Sequence, residues 1–565
     1  MEGGSTSSSP KSSETRKKRI RKKTSKMNDT LSLSPNAKIQ STAISLIGCI
    51  FFLYMYGLTS SVLSLPDIRL DQGLLFSMNK KHAMNIFNEN QDDDLEAAEE
   101  DNENADDKET NAVVDDKLGV PDSTWPVTST NKEKDKWITL PHPGEASMSV
   151  TLPPFWSKPI HNNKLMTREQ AMRVGTCIEP DENGNFQRGD KCPLHQRTIF
   201  VAIASYRDWQ CKHTVTSIFH RAKYPERIRV AVVDQIVDGD DICDEPIHET
   251  CKTMPDQDIC KYHSQIDVYT MDAPLAVGPV FARHIGHRQY RGEYYTMQSD
   301  AHVTFTQDWD VDIIEQQEAT GDEMTVLTTY LTDIVDSIDE KTGKSLRHTR
   351  PIMCNTDYEG GPQGKHLRHL SQPERMPPPD LKMPQLQPWW AAGFSFSRGH
   401  FVVNVPYDFY QPMIFQGEEM SIGIRGYTIG YDYYAPQRSV CFHHYASLNP
   451  DRNKVPHFWE NSSIYAGTGK KAMARLLGIV HMNPETPRTF WGHEEEDMYG
   501  IGGVRSPEKF YETFGIDVVA KKTEKKLCQF VEAGQMHRQF IPKLRPDGMG
   551  IDYTNISYKY KYRGG

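Results

Sequence analysis

The chain has no excess of positive charge to offer a nucleic acid. Its 65 Lys and Arg stand against 76 Asp and Glu, a formal net charge of −11 over 565 residues, and nucleic-acid binding normally needs a basic face. There is no C-x-x-C pair among its ten cysteines, and the cluster Cys243, Cys251, Cys260 and His263 fits no common zinc spacing. The acidic stretch from Asp92 to Glu109 lacks the Asp/Gly/Glu spacing of an EF-hand loop, so it reads as solvated spacer. There is no internal repeat. One long stretch, Ala43 to Leu65, has no charge at all.

That stretch contains ISLIGCIFFLYMYGL (Ile44 to Leu58), and about 20 apolar residues of helix span a bilayer core. Some forty residues precede it, including a Lys/Arg cluster between Lys11 and Lys26, which is unlike the short charged region of a cleaved signal peptide. The basic side lies before the anchor and the acidic side after it. The positive-inside rule then places the N-terminus in the cytosol and the rest in a lumen. The expected organisation is a cytosolic tail (1–42), a transmembrane anchor (43–65), a disordered acidic and Pro-rich stem (66–195), a catalytic domain (196–520) and a C-terminal extension (521–565). Nine cysteines follow the anchor, an odd number that leaves at least one thiol outside any intrachain pairing. The sequons at Asn461 and Asn555 would face glycosylation in a lumen.

With 10% aromatic and 25% charged residues, a sizeable packed domain is expected. From Thr198 the pattern becomes regular. TIFVAIASYRD, RIRVAVVDQ, DVYTMD and EYYTMQ are short apolar runs of the buried-parallel-strand type. Helical stripes lie between them, Val215/Ile218/Phe219/Ala222 and Val277/Val280/Phe281/Ile285. The alternation predicts an α/β fold, a mostly parallel sheet flanked by helices. It also argues against the antiparallel strands of an iron/2-oxoglutarate oxygenase, whose two His and one carboxylate this chain could otherwise supply. Ligands of such sheets bind beyond the carboxyl ends of the strands. Ser205, Tyr206 and Asp208 end the first strand, where a uridine would sit, and Asp234 ends the second as a weaker candidate.

The fourth strand runs into Asp300-Ala301-His302. In an extended segment residues i and i+2 share a face, so a carboxylate and an imidazole can grip one divalent cation of the manganese type. Cys441-Phe442-His443-His444-Tyr445 offers two histidines as a third ligand, on opposite faces if the segment is extended.

VAIASYRD, YPERIRVAVVDQ, GPVFARHIGHRQYRGEYYTMQSDAHVTFTQDWD, AAGFSFSRGHF, VPYDFYQPMIFQGEEMSIGIRGYTIGYDYYAP, CFHHY and YGIGGVRSPEKFYETFGID, in this order between Thr198 and Asp517, resemble the protein N-acetylglucosaminyltransferases that modify hydroxyproline or Ser/Thr. This group includes cytosolic hydroxyproline enzymes and Golgi polypeptide α-GlcNAc-transferases, and the anchor-first layout is similar to the Golgi members. The resemblance implies a GT-A fold, a UDP-sugar donor (UDP-GlcNAc, with UDP-GalNAc the alternative), Mn²⁺, a protein acceptor and retention at the anomeric carbon. A catalytically silent sugar-binding protein on the same fold is the other alternative. The resemblance implies metal ligands Asp300, His302 and, from its H-Y pair, His444. The middle residue of the family's D-S-H is Ala301 here. Arg283 would meet the diphosphate, and Glu418 and Glu419 of the GEE block would position donor sugar and acceptor. The basic, Pro-rich stretch from Lys365 to Pro388 suggests a mobile flap over the donor site, with Trp389 and Trp390 stacking on the sugar or packing in the core.

Overall fold

The computed structural model describes residues 120–556 apart from 123, 162 and 361–364, all within one compact unit, Thr110–Gly565. The expected cytosolic tail, the anchor and the first part of the stem lie outside the described residues. Among the described residues no helix is long and apolar enough to cross a membrane.

The described stem is folded, contrary to expectation. A hairpin of β1 (Ile138–His142) and β2 (Glu145–Leu152) pairs Ile138 with Leu152, and alternation along β2 buries Val150 and Leu152. The hairpin is tied to the domain. Trp137 stacks on Tyr269 at 5.6 Å, Asn131 Nδ2 donates to the Val268 carbonyl at 2.8 Å, and His142 Nε2 meets the Leu275 carbonyl at 2.9 Å. A disulfide, Cys177–Cys192, follows. The acidic run Asp92 to Glu109 lies outside the described residues, and the Pro-, Ser- and Thr-rich part of the stem includes this strand pair, which has only one face to bury.

The core elements follow the alternation: β3 (Ile199–Tyr206), α1 (Cys211–Arg221), β4 (Ile228–Ile236), β5 (Ile266–Asp272), α2 (Pro279–Arg288), β6 (Tyr295–Asp300), β7 (Val303–Phe305) and α3 (Trp309–Glu318). Next come β8 (Thr325–Thr328), β9 (Gln385–Gln387), β10 (Phe394–Arg398), α4 (Glu418–Ile429), β11 (Asp432–Ala435) and β12 (Cys441–His443). Eight strands form one sheet in the order β9-β11-β8-β10-β6-β3-β4-β5. Strands β5, β4, β3 and β6 are mutually parallel, β10 pairs antiparallel with both β6 and β8, and β11 runs parallel to β8. Eight of the nine residues of β4 are buried, as expected of a strand covered on both faces. β7 and β12 form a separate antiparallel pair directly after Asp300.

The expected mobile flap is also ordered. β9 lies at one edge of the main sheet, pairing with β11, and His366 and His369 are buried. The C-terminal extension closes over this edge: Cys528 is bonded to Cys354, and the Leu386 amide donates to His537 Nδ1 at 3.1 Å. Four disulfides form among the described residues, and Cys441 remains there as a buried free thiol. Cys243 pairs with Cys211 and Cys251 with Cys260, so none is available to zinc.

Candidate active site

Strand β6 delivers Asp300 at the carboxyl end of the sheet, and the turn into β7 brings His302 beside it. β12 pairs with β7 so that His443 lies opposite Val303. The three side chains converge: Asp300, His302 and His443 each offer a ligand atom, all within 4.8 Å of one another. The rings of His302 and His443 meet edge-on at 4.4 Å, and His443 Nε2 is 3.5 Å from Asp300 Oδ2. Asp300 is pressed against Gly393, where a Cβ would come within 3.1 Å of its carboxylate. Burial opposes its charge, but the His443 hydrogen bond and the Arg283 guanidinium hold its carboxyl down at about 2.

The histidine brought beside Asp300 and His302 is therefore His443 and not the expected His444. His444 leaves the strand on the other side: its amide donates to the His302 carbonyl at 3.0 Å and its Nε2 bonds Thr304 Oγ1 at 2.9 Å. Backbone register makes the choice. The His443 amide donates to Thr332 at 3.0 Å and the Ile334 amide to the His443 carbonyl at 2.9 Å, which clamps this residue between two segments with its ring toward Asp300.

Asp208, expected at the uridine, is committed elsewhere. Its Oδ2 bonds His302 Nδ1 at 2.7 Å, and both its oxygens accept from Arg452 Nη1 at 2.6 Å. Burial resists its ionisation, but the His302 and Arg452 contacts hold its carboxyl below the usual range. A carboxylate on Nδ1 orients the ring and leaves Nε2 for a metal, the usual support for a ligating histidine. Together the carboxylate and two imidazoles are a donor set that fits a divalent cation of the manganese type.

The second half of the site comes from α2 and α4. Arg283 Nη2 donates to Asp300 Oδ1 at 2.8 Å, and Nη1 binds Glu418. Glu418 also accepts from Tyr407 at 2.8 Å, and Tyr407 reaches Gln298 Oε1 at 2.7 Å. Arg283 is therefore a fixed cation held between two carboxylates. α4 begins at Glu418 because Gly417 takes a left-handed turn at φ 111°, with the helix Thr468–Ile479 so close that a Cβ would meet Leu476 and Met473 at 3.2 Å. Glu419 accepts from the Ala392 amide at 3.0 Å and from Tyr330 at 2.8 Å, and burial pushes its carboxyl up to about 7.

Residues 198–254 and 245–520 match the model of the glycosyltransferase (GlcNAc) family, which covers more than half of the chain. The chain belongs to this family. No curated protein sequence matches it. Among solved structures it is similar to a crystal structure of GalNAc-T7 with UDP, GalNAc and Mn²⁺, at 15% identity and a TM-score of 0.35, covering 65% of this chain and 62% of that one. It is also similar to S. aureus TarS 1-349, at 11% identity and a TM-score of 0.27, covering 60% and 91%.

Within this glycosyltransferase the remaining expected residues sort as follows. Ser205 is buried at the end of β3, level with Asp234 of β4, whose carboxyl burial raises to about 6. Tyr206 donates to Glu460 at 2.5 Å, and Arg207, held at a positive φ of 51°, pairs with Asp240 and Glu460. Trp390 does not face an open site. It is 1% exposed, its backbone carbonyl meets His369 Nε2 at 2.9 Å, and a Cβ on Gly423 would touch it at 3.4 Å. It is a core residue, as is Trp389, which packs against Phe510 at 5.1 Å. The sequon asparagine Asn461 is 5% exposed and spends its amide hydrogens on the carbonyls of Ala273 and Ala276, so the folded chain does not offer it to a glycan. Asn555 is exposed. Tyr330, Tyr407, Gln298, Arg452 and Glu460 were not anticipated. Tyr407 and Gln298 fall inside the blocks that resemble the family, whereas Tyr330, Arg452 and Glu460 carry no local signal, the last two lying in short helical turns, Arg452–Lys454 and Phe458–Ser463.

Proposed function

We propose that this glycosyltransferase moves N-acetylglucosamine from UDP-GlcNAc to a protein hydroxyl of Ser, Thr or hydroxyproline, with Mn²⁺ and with retention of configuration. The carrying observation is the convergence of Asp300, His302 and His443 beside the Arg283–Glu418 pair. A divalent cation on those three ligands would neutralise charge on the departing diphosphate. Asp208 keeps the His302 ring in register. Arg283, locked by Glu418, is a second positive charge that cannot swing away. Glu419, held by the Ala392 amide and Tyr330 and raised to about 7 by burial, is suited to orient the acceptor hydroxyl. In a front-face displacement the leaving phosphate takes the acceptor's proton, so no carboxylate need attack from behind.

The same reading places the protein as a single-pass type II Golgi enzyme with its catalytic domain in the lumen. The four disulfides support an oxidising compartment, and the uncharged stretch Ala43 to Leu65 supports the anchor. Hydrolysis of a panel of UDP-sugars by the purified chain, with and without Mn²⁺, tests the donor. Fastest turnover of UDP-GlcNAc with Mn²⁺ is expected, preference for UDP-GalNAc would transfer the assignment to that donor, and no turnover of any would refute a catalytic role. Protease added to intact microsomes should spare residues 198–520; their digestion without detergent would refute the orientation.

A further inference from the structure

An exposed apolar patch adjoins the candidate metal site. Tyr445, two residues beyond His443, is 38% exposed, and its ring lies on the His443 ring at 4.0 Å between centroids. Val335 and Leu448 are 46% and 60% exposed. Hydrogen bonds hold the three residues together. Asp333 pairs in parallel with His443, and its two carboxylate oxygens accept from the Val335 amide at 2.8 Å and the Tyr445 amide at 3.2 Å. The Leu448 amide donates to the Tyr445 carbonyl at 3.2 Å, closing a turn that returns the chain beside Tyr445.

Tyr445 is tied at both ends. Its amide is held by Asp333 and its hydroxyl donates to the Leu331 carbonyl at 3.0 Å. What it shows to solvent is therefore a fixed aromatic surface. Burial of the hydroxyl, with the charges of Asp300, Asp333 and Glu419 around it, pushes its ionisation up, so the ring lies within reach of both Asp300 and Glu419. The occupant of the patch follows from what it adjoins. Glu419 is suited to orient the acceptor hydroxyl, and an aromatic ring beside two aliphatic side chains offers no partner to a peptide N–H. Proline brings no N–H and holds its chain in extended polyproline geometry, so it covers such a surface with less loss of hydration and freedom than other residues.

Resting on the glycosyltransferase reading, we propose that Tyr445, with Val335 and Leu448, is an acceptor-binding surface that selects a peptide carrying proline next to the target hydroxyl. Two pentapeptides test it, one with proline on each side of a threonine and one with alanine in those places, titrated into the full chain with UDP and Mn²⁺ and followed by NMR line broadening. The proline peptide should bind at least about fivefold more tightly, within the range of an aromatic contact. Tyr445→Ala should cut that preference to under about twofold, and Tyr445→Phe, which keeps the ring, should retain it. Calorimetry of Mn²⁺ binding separates this role from support of His443: metal affinity lowered about tenfold in Tyr445→Ala, with the peptide preference intact, would overturn the proposal. Equal binding of the two peptides would also overturn it. So would self-association of the full chain abolished by Leu448→Ser, which gives the surface to a second copy. The two peptides compared on the unmodified chain decide without any variant. Binding is read without turnover, so a chain that hydrolyses no UDP-sugar refutes the glycosyltransferase reading while the peptide comparison still decides this one.

Discussion

Glu419→Gln should make the protein more stable at neutral and alkaline pH, although it alters the centre of the site. The Glu419 side chain is 17% exposed, and burial raises its carboxyl from 4.5 to about 7. A carboxyl raised in the folded state contributes most to stability below its unfolded value, and that contribution is lost as pH rises through the folded value. Between pH 4.5 and about 7 the unfolded chain has already released a proton that the folded chain retains. At about 1.4 kcal/mol per pH unit, ionised Glu419 costs the fold about 3 kcal/mol above pH 7. Glutamine keeps the shape and the partners: its carbonyl accepts from the Ala392 amide, and its NH₂ faces Tyr330, which accepts instead of donating. The measurement is the denaturation midpoint of both proteins from pH 4 to 9 in chelator. The stability difference should be near zero at pH 4 and grow toward about 3 kcal/mol by pH 8. Transfer activity should fall over the same variant. A flat difference across the range, or a variant less stable at pH 8, would refute an elevated Glu419.

Other expectations are direct. His443→Ala should weaken Mn²⁺ binding by more than about tenfold, measured by calorimetry, whereas His444→Ala should leave it within about twofold because that ring serves Thr304; the reverse pattern would refute the assignment. Asp208→Asn should act through His302, lowering metal affinity about ten- to a hundredfold without unfolding the domain, since it removes the carboxylate on Nδ1. After expression through a secretory pathway, mass spectrometry should find Asn461 bare in active protein, because its amide is buried in two hydrogen bonds; a glycan there would contradict the packing. A chain beginning at Arg197 should be insoluble while one beginning at Val120 folds. Truncation strips away buried Val150, Leu152, Ile160 and Met166, each worth about 1.5–3 kcal/mol.

The α/β architecture and half of the candidate metal site were written in the sequence. Parallel strands covered on both faces must be continuously apolar, so IFVAIASY and IRVAVVDQ declare themselves, and a carboxylate two residues from an imidazole at a strand end falls on one face by backbone periodicity alone. Arg283 and Glu418, expected from the blocks that resemble the family, lie together beside Asp300. Tertiary structure decided what depends on neighbours distant in the chain. His443 and His444 are equivalent by composition, and only the pairing of β12 with β7 turns one of them toward Asp300. A tryptophan stacks equally well on a sugar or on a protein core, and the close approach of α4 at Gly423 places Trp390 in the core. The hairpin of residues 138–152 has a surface-like composition because it buries few side chains, and its order comes from contacts with β5 more than a hundred residues away. Local periodicity determines which face a residue presents; what meets that face is determined by chain segments whose distance in sequence leaves no local mark.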